Sequence, residues 1–402
     1  MKKIFFVSFL IIFTRLAVSQ SNVLLDFPNK DSLSSKTLFF NFENLWFVKN
    51  NEYFNFIADG YTLFGDKLQA GLRYRPNRRF EISGGFETLK YFGQDTLDYF
   101  LPDIRMTIFS GKHRWVFGRL ITTDNHKMPG QLYDFERLLD KRSYEYGFEH
   151  RYFGKNFSSD IWLEWQNFIK KASNVRERLN FGASLHYDWI VNAKNHLETS
   201  VFAYIHHRGG QINLRQPQDS LNNALVLLNT AASAVYVYHL SGERKLSFGL
   251  QFFQHHLNTD NPEEFHFKTG NAWLGFVRWQ QKSFQAVLSY WKSNAFVSVA
   301  GDAMYQSYST RIDKYLNEQG EALPVFVNYS EAEREMLTVG ISYHYKLFKN
   351  VLIAAHFKGF WQLNTAEINL PYYQNRISSP HFDYNFGLYV LYRIDGYSLK
   401  KL

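Results

Sequence analysis

Hydrophobic and polar residues alternate with a period of two along most of this chain. Between 337 and 347, Leu337, Val339, Ile341, Tyr343, Tyr345 and Leu347 interleave with Thr338, Gly340, Ser342, His344 and Lys346. Leu179, Phe181, Ala183, Leu185, Tyr187 and Trp189 likewise alternate with Asn180, Gly182, Ser184, His186 and Asp188. Near the end, Tyr384, Phe386, Leu388, Val390, Tyr392 and Ile394 share one side, with Asp383, Asn385 and Arg393 on the other. Successive strand side chains point to opposite faces, so each segment predicts a strand apolar on one face and mainly polar on the other. Repeated along the chain, the reading predicts sixteen strands. They lie at 37–48, 67–75, 80–91, 102–110, 113–122, 143–153, 157–168, 178–190, 196–207, 231–241, 245–256, 271–280, 283–292, 335–347, 350–363 and 383–393. Most approach the roughly 9–11 residues that a tilted strand needs to cross hydrocarbon. Arg119 and Arg278 fall in ambiguous phase. A lipid-facing arginine at mid-depth costs about 2–4 kcal/mol, so both are expected to point inward or lie near an interface.

The connections carry the architecture. Links at 76–79, 111–112, 154–156, 191–195, 242–244, 281–282 and 348–349 are short. Those at 49–66, 92–101, 123–142, 169–177, 208–230, 257–270, 293–334 and 364–382 are longer. Alternating short and long links string an all-β, transmembrane, antiparallel up-and-down β-barrel, with short periplasmic turns and long external loops. An even strand number also returns the C-terminus to the periplasm.

Composition supports this class. Aromatics make up 18% of the residues, although mean hydropathy is only −0.34. Barrels combine aromatic girdles with a polar lumen, which accounts for both values. Lys2 and Lys3, an apolar run from Ile4 to Phe13 and the triplet Ala17-Val18-Ser19 have the layout of a secretory signal peptide. The run is too short for a spanning helix, which needs roughly 20 residues. The expected organisation is a signal peptide at 1–19, a periplasmic extension at 20–36, the barrel at 37–393 and a periplasmic tail at 394–402. The expected location is the cell outer membrane, with both termini periplasmic. The chain has no cysteine, which excludes disulfides, thiolate metal sites and cysteine nucleophiles. A net charge of +8 without a basic run argues against nucleic acid.

Asn385, Gly387, Val390 and Tyr392 stand at the spacing polar, any, glycine, two of any, hydrophobic, any, aromatic. That pattern resembles the C-terminal assembly signal of outer-membrane barrels, and the resemblance implies the barrel-assembly machinery as a partner. Residues 393–402 follow it, whereas many such proteins end on the aromatic. The strand layout resembles that of sixteen-stranded porins, whose third external loop folds into the pore; the corresponding link here is 123–142. Two stretches resemble an uncharacterised outer-membrane barrel family of Bacteroidota. One is Asn51-Glu52-Tyr53-Phe54 with Gly60-Tyr61-Thr62-Leu63-Phe64-Gly65; the other is Leu132-Tyr133-Asp134-Phe135-Glu136-Arg137.

The third loop holds Asp124, Asp134, Glu136 and Asp140, while Arg73, Arg75, Arg105 and Arg151 lie on the polar faces of neighbouring strands. Folded inward, loop acids would oppose wall bases across a constriction and set ion selectivity. Folded outward, Leu132, Phe135 and Leu138 would pack on the rim. The pairs His206-His207 and His255-His256 cannot chelate from one strand face, because adjacent residues point apart. Glu145 and Glu149 share a face, but a hydrated lumen accounts for them. The best-phased lipid faces carry only aliphatic and aromatic residues, which leaves no room there for a serine, histidine and acid on one surface. No phosphate loop, zinc spacing or calcium loop is present, so no cofactor or metal is expected. The longest link, 293–334, is the expected recognition loop.

These features predict a non-enzymatic, porin-like channel for passive diffusion of small hydrophilic solutes. The alternative is a non-conducting barrel serving as scaffold or accessory in surface assembly or secretion. It is favoured by Trp162, Phe202, Tyr204, Trp291 and Phe360, bulky residues on nominal lumen faces. Outer-membrane lipid, a second copy of the chain and a surface lipoprotein are the other expected partners. A soluble extracellular β-sandwich or glycan binder is the third reading.

Overall fold

A computed structural model describes residues 36–170, 175–190, 192, 194–209, 224–241, 243–259, 267–309, 312–316, 322–326, 329–364, 366–368, 376–378 and 381–401. The expected signal peptide and nearly all of the expected 20–36 extension lie outside the described residues. Sixteen strands close into one antiparallel barrel in chain order. They are β1 (Thr37–Glu52), β2 (Tyr61–Asn77), β3 (Phe80–Tyr91), β4 (Tyr99–Ser110), β5 (His113–Arg119), β6 (Tyr146–Phe153), β7 (Phe157–Asn167) and β8 (Arg178–Ile190). The second half holds β9 (Asn195–Arg208), β10 (Leu225–His239), β11 (Arg244–Thr259), β12 (Thr269–Gln281), β13 (Phe284–Asn294), β14 (Glu333–Phe348), β15 (Val351–Gln362) and β16 (Phe382–Lys401). Closure comes from β16 pairing with β1, with Val390 opposite Trp46. No helix among the described residues is long and apolar enough to cross a membrane. The strands do the crossing, because closure satisfies every edge within the wall.

All sixteen expected strands are present, and short turns alternate with long loops as the periodicity predicts. This is the build of an outer-membrane-type barrel. Outward side chains such as Ile104, Leu250 and Leu288 are exposed, as a lipid-facing surface requires. Two departures have local causes. The fifth strand was expected over 113–122 but ends at Arg119. Gly118 takes φ +93°, a left-handed conformation, and beyond it the chain leaves the wall with Leu120, Ile121 and Thr122 buried. That turn carries the ambiguous Arg119 inward to a 2.6 Å ion pair with Glu87. The expected tail after 393 is instead strand: β16 runs to Lys401, which pairs with Thr37.

Inside, Trp162, Phe202, Tyr204, Trp291 and Phe360 are all buried on the lumen face. They join Leu132, Tyr133, Phe296, Met304 and Tyr305 in one apolar cluster. The lumen therefore holds a packed core, supplied partly by the wall and partly by two long loops that turn inward. Two short hairpins, Ile312–Leu316 with Ala322–Phe326 and Ala366–Ile368 with Arg376–Ser378, belong to other parts of the long loops.

Candidate active site in the lumen

The third loop folds into the lumen and is held there by a buried charge network. His126, fully buried, stacks on Trp162 with ring centroids 3.9 Å apart. Its Nδ1 lies 3.0 Å from Asp160 and its Nε2 2.9 Å from Glu145. Burial opposes charge on this imidazole, but the Asp160 and Glu145 carboxylates overcome it and raise the pKa well above the usual histidine value. Burial also works against the Glu145 carboxylate, yet Arg137 and His126 hold it down at about 2. Arg151 binds Asp124, Glu149 and Asp160 at 2.6, 2.6 and 2.9 Å. Ligand atoms of His126, Glu149 and Asp160 lie within 4.8 Å of one another, which is close enough for a cation. In this arrangement the Arg151 guanidinium already supplies positive charge to both carboxylates.

The seventh long loop follows the third inward. Asp134 donates its backbone N–H to the Ala300 carbonyl at 2.7 Å, and Asp302 donates its own to Gly130 at 2.9 Å. Where these loops meet β1, β12, β13, β15 and β16, a chamber of about 540 Å³ opens beneath them. The motif residues around 51–54, 60–65 and 132–137 come together at its edge. Both carboxylate oxygens of Glu136 accept from the Asn51 amide at 3.0 Å, and the Tyr61 hydroxyl donates to the same group. Lys49 Nζ stands 3.3 Å from Glu136. Across the chamber, Lys358 Nζ lies 3.1 Å from Asp302 and over the rings of Tyr305 and Phe360. Asn385 donates to the Tyr53 hydroxyl at 2.7 Å and lies 3.2 Å from His356 Nε2.

Asp134 is the unusual group here. Burial, followed by the Asp302 and Glu136 carboxylates, pushes its carboxyl up to about 7. A carboxyl that exchanges its proton near neutrality, with fixed ammonium groups nearby, can transfer protons and stabilise developing negative charge.

The expected constriction residues are thus dispersed among different partners. Asp124 meets Arg151. Asp134 and Glu136 line the chamber, and Asp140 pairs with Arg142 at 2.7 Å. Arg73 and Arg75 bind the wall acid Glu81, and Arg73 also binds Asp395. Arg105 donates to the carbonyls of Arg119 and Leu120. One expected arginine therefore faces a loop acid, and three do not. Within the 385–392 motif, Asn385 serves the chamber and Val390 pairs with Trp46. Gly387 lies beside Tyr389 and His356, and Tyr392 packs edge-on against Phe42. His255 is buried while His256 is exposed, so that pair does point apart. Lys49, Asp302, His356, Lys358 and His126 were not singled out from the sequence. The sequence signals for this region are the 51–54, 60–65 and 132–137 motifs, through Asn51, Tyr53, Tyr61, Asp134 and Glu136.

A family model described as Lipid A 3'-O-deacylase-type matches residues 29–401, which takes in all sixteen strands. The chain belongs to this family. That membership corrects the expectation of a non-enzymatic barrel. Catalytic groups on one strand face would show in the local pattern, whereas here loop and wall residues from distant positions converge inside. No curated protein matches the chain. Similar solved structures include OmpT, an outer-membrane protein of Vibrio cholerae, at 11% identity over 90% of this chain and 99% of that one, TM-score 0.49. An anion-selective porin from Comamonas acidovorans matches at 10% identity over 89% and 100%, TM-score 0.49. OprD from Pseudomonas aeruginosa matches at 8% identity over 94% and 96%, TM-score 0.46. Similarity this loose decides neither fold nor activity.

Proposed function

We propose that this protein is an outer-membrane acyl-ester hydrolase acting on lipid A-type glycolipids. Its short turns would face the periplasm and its long loops the exterior. The observation that carries the reading is a single one: within a family named for deacylation, the two motif stretches meet at a chamber containing a carboxyl raised to about 7. In the proposed reaction Asp134, as carboxylate, takes a proton from water as the oxygen attacks the ester carbonyl. Lys49 or Lys358 stabilises the oxyanion, and the bond between the acyl carbon and the ester oxygen breaks, leaving that oxygen on the sugar as an alkoxide. The protonated Asp134 returns its proton to the leaving alkoxide, giving a fatty acid and a free hydroxyl. Each step keeps atoms and protons balanced.

The test incubates the purified full chain with lipid A and follows the glycolipid by mass spectrometry. Loss of one acyl chain with wild type, but not with Asp134→Asn, is the expected result. An unchanged lipid A mass with wild type overturns the reading.

Passive diffusion of small hydrophilic solutes is the second reading. It is favoured by a further polar cavity of about 130 Å³ lined by Arg73, Asp103, Arg105 and Arg119. The apolar core across the lumen opposes it. Stepwise ohmic conductance in planar bilayers is its test, and a silent membrane rejects it.

A further inference from the structure

Arg278 is a cation of the chamber wall that neither the charge network nor the proposed chemistry uses. It projects inward from β12 and lines the same cavity as Asp134. Its neighbours across the wall are Ser247 and Val287. Its Nε is buried without a hydrogen-bond partner, and among the described residues no carboxylate forms an ion pair with it. Its guanidinium lies 5.0 Å from the centre of the Phe276 ring. Glu198, the acid that acts on it electrostatically, is already engaged by His196 at 2.9 Å. A guanidinium held partly out of water with only a ring for a partner is costly, and an anionic ligand would reduce that cost.

The surroundings narrow the ligand class. Leu274, Phe276, Val287 and Phe202 offer apolar wall, while the Gln280 and Gln285 amides offer donors beside the guanidinium. A cavity of about 540 Å³ falls within the range of roughly 300–1,000 Å³ typical of small-ligand sites. One cation and a few amides on an apolar wall suit a single charged head on a hydrocarbon body. We propose that Arg278 anchors the carboxylate of a fatty acid whose chain lies along this wall. That the acid is the one released by the enzyme rests on the hydrolytic reading above; the binding site itself does not.

Isothermal titration of the full chain in amphipol tests this, with octanoate as probe and octanol and inorganic phosphate as controls. Octanoate should bind saturably, and Arg278→Gln should weaken it by about tenfold or more, as loss of a charge-assisted hydrogen bond predicts. Arg278→Lys, which keeps the charge, should restore most of the affinity. Equal octanoate binding by wild type and Arg278→Gln overturns the proposal. So does octanol binding as tightly as octanoate, or phosphate displacing octanoate at comparable concentration. Failure to deacylate lipid A with octanoate binding intact overturns only the hydrolytic reading. Deacylation without octanoate binding overturns only this one.

Discussion

Asn51 and Glu136 stand 85 positions apart in the chain, yet the amide of one donates to both carboxylate oxygens of the other at 3.0 Å. The first is on a strand that ends at a long loop, and the second is on a loop that has left the wall for the lumen. Their contact ties the edge of the chamber together, with Lys49 and Tyr61 converging on the same carboxylate.

Removing the proton-transfer group should stop chemistry without unfolding the barrel. Asp134→Asn is expected to lower the deacylation rate by about 10²–10⁴-fold, the usual contribution of general acid–base catalysis. In wild type the rate should rise with pH to a plateau, with an inflection near the Asp134 value of about 7. A flat profile from pH 5 to 9, measured by acyl release, would remove Asp134 from the mechanism.

The pin of the third loop is His126. Its replacement by alanine takes a cation from between Asp160 and Glu145 and exposes the face of Trp162. Arg151 and Arg137 still serve those acids. The loss should therefore sit at the lower end of the about 3–5 kcal/mol seen when a buried pair is broken. Limited proteolysis should cut within 123–142 in the variant and not in wild type.

Loop seating should weaken as pH rises. His126 has a folded pKa raised above 6.5, so its contribution is complete below about 6.5 and fades as pH climbs through the folded value. Asp134, raised from 3.8 to about 7, works in the same direction: the neutral carboxyl favours the folded loop, and the advantage is lost between those values. Glu145, held at about 2, contributes above its ordinary range and loses that only in strong acid. Hydrogen exchange across 124–137 should therefore be slower at pH 5 than at pH 9, after correction for the intrinsic rate. The reverse order would contradict the charge assignments.

Gly301 marks the contact between the two inward loops, where an added Cβ would collide with the Gln131 carbonyl. Gly301→Val should push the loops apart and lower the melting temperature. It should also reduce deacylation, because Asp134 and Asp302 flank this contact. Unchanged melting and activity would mean that the loops do not depend on one another.

Emptying the core gives a separate handle on conductance. Trp162→Ala removes the ring under His126 and should cost about 3–5 kcal/mol. It should also convert an electrically silent barrel into a leaky one in planar bilayers. A conducting wild type would mean that the lumen is open despite this core.

The barrel was readable because strand signals are local. Leu337 to Leu347 alternate whether or not their neighbours are known, and each short turn lies next to the strands it joins. Arg278 was narrowed to the inner face or an interface, since lipid excludes a charge at mid-depth, and the structure puts it inward. The chamber was not readable in this way. Lys49, Asp134, Asp302 and Lys358 have no shared spacing, and what joins them is a route taken by two loops through the lumen. That route depends on Gly118 turning the chain out of β5, and on His126 finding Trp162, Asp160 and Glu145 on other elements.

The sequence alone determined the all-β class, the strand number, the alternation of links and the inward phase of the large aromatics, because each depends on side-chain order within a few residues. Tertiary structure decided that those aromatics and two loops make a packed core instead of a constriction. It also decided that the acids of the third loop divide between structural pairing and a reactive chamber. Burial and charge proximity depend on which distant segments meet, and a period-two pattern carries no information about that.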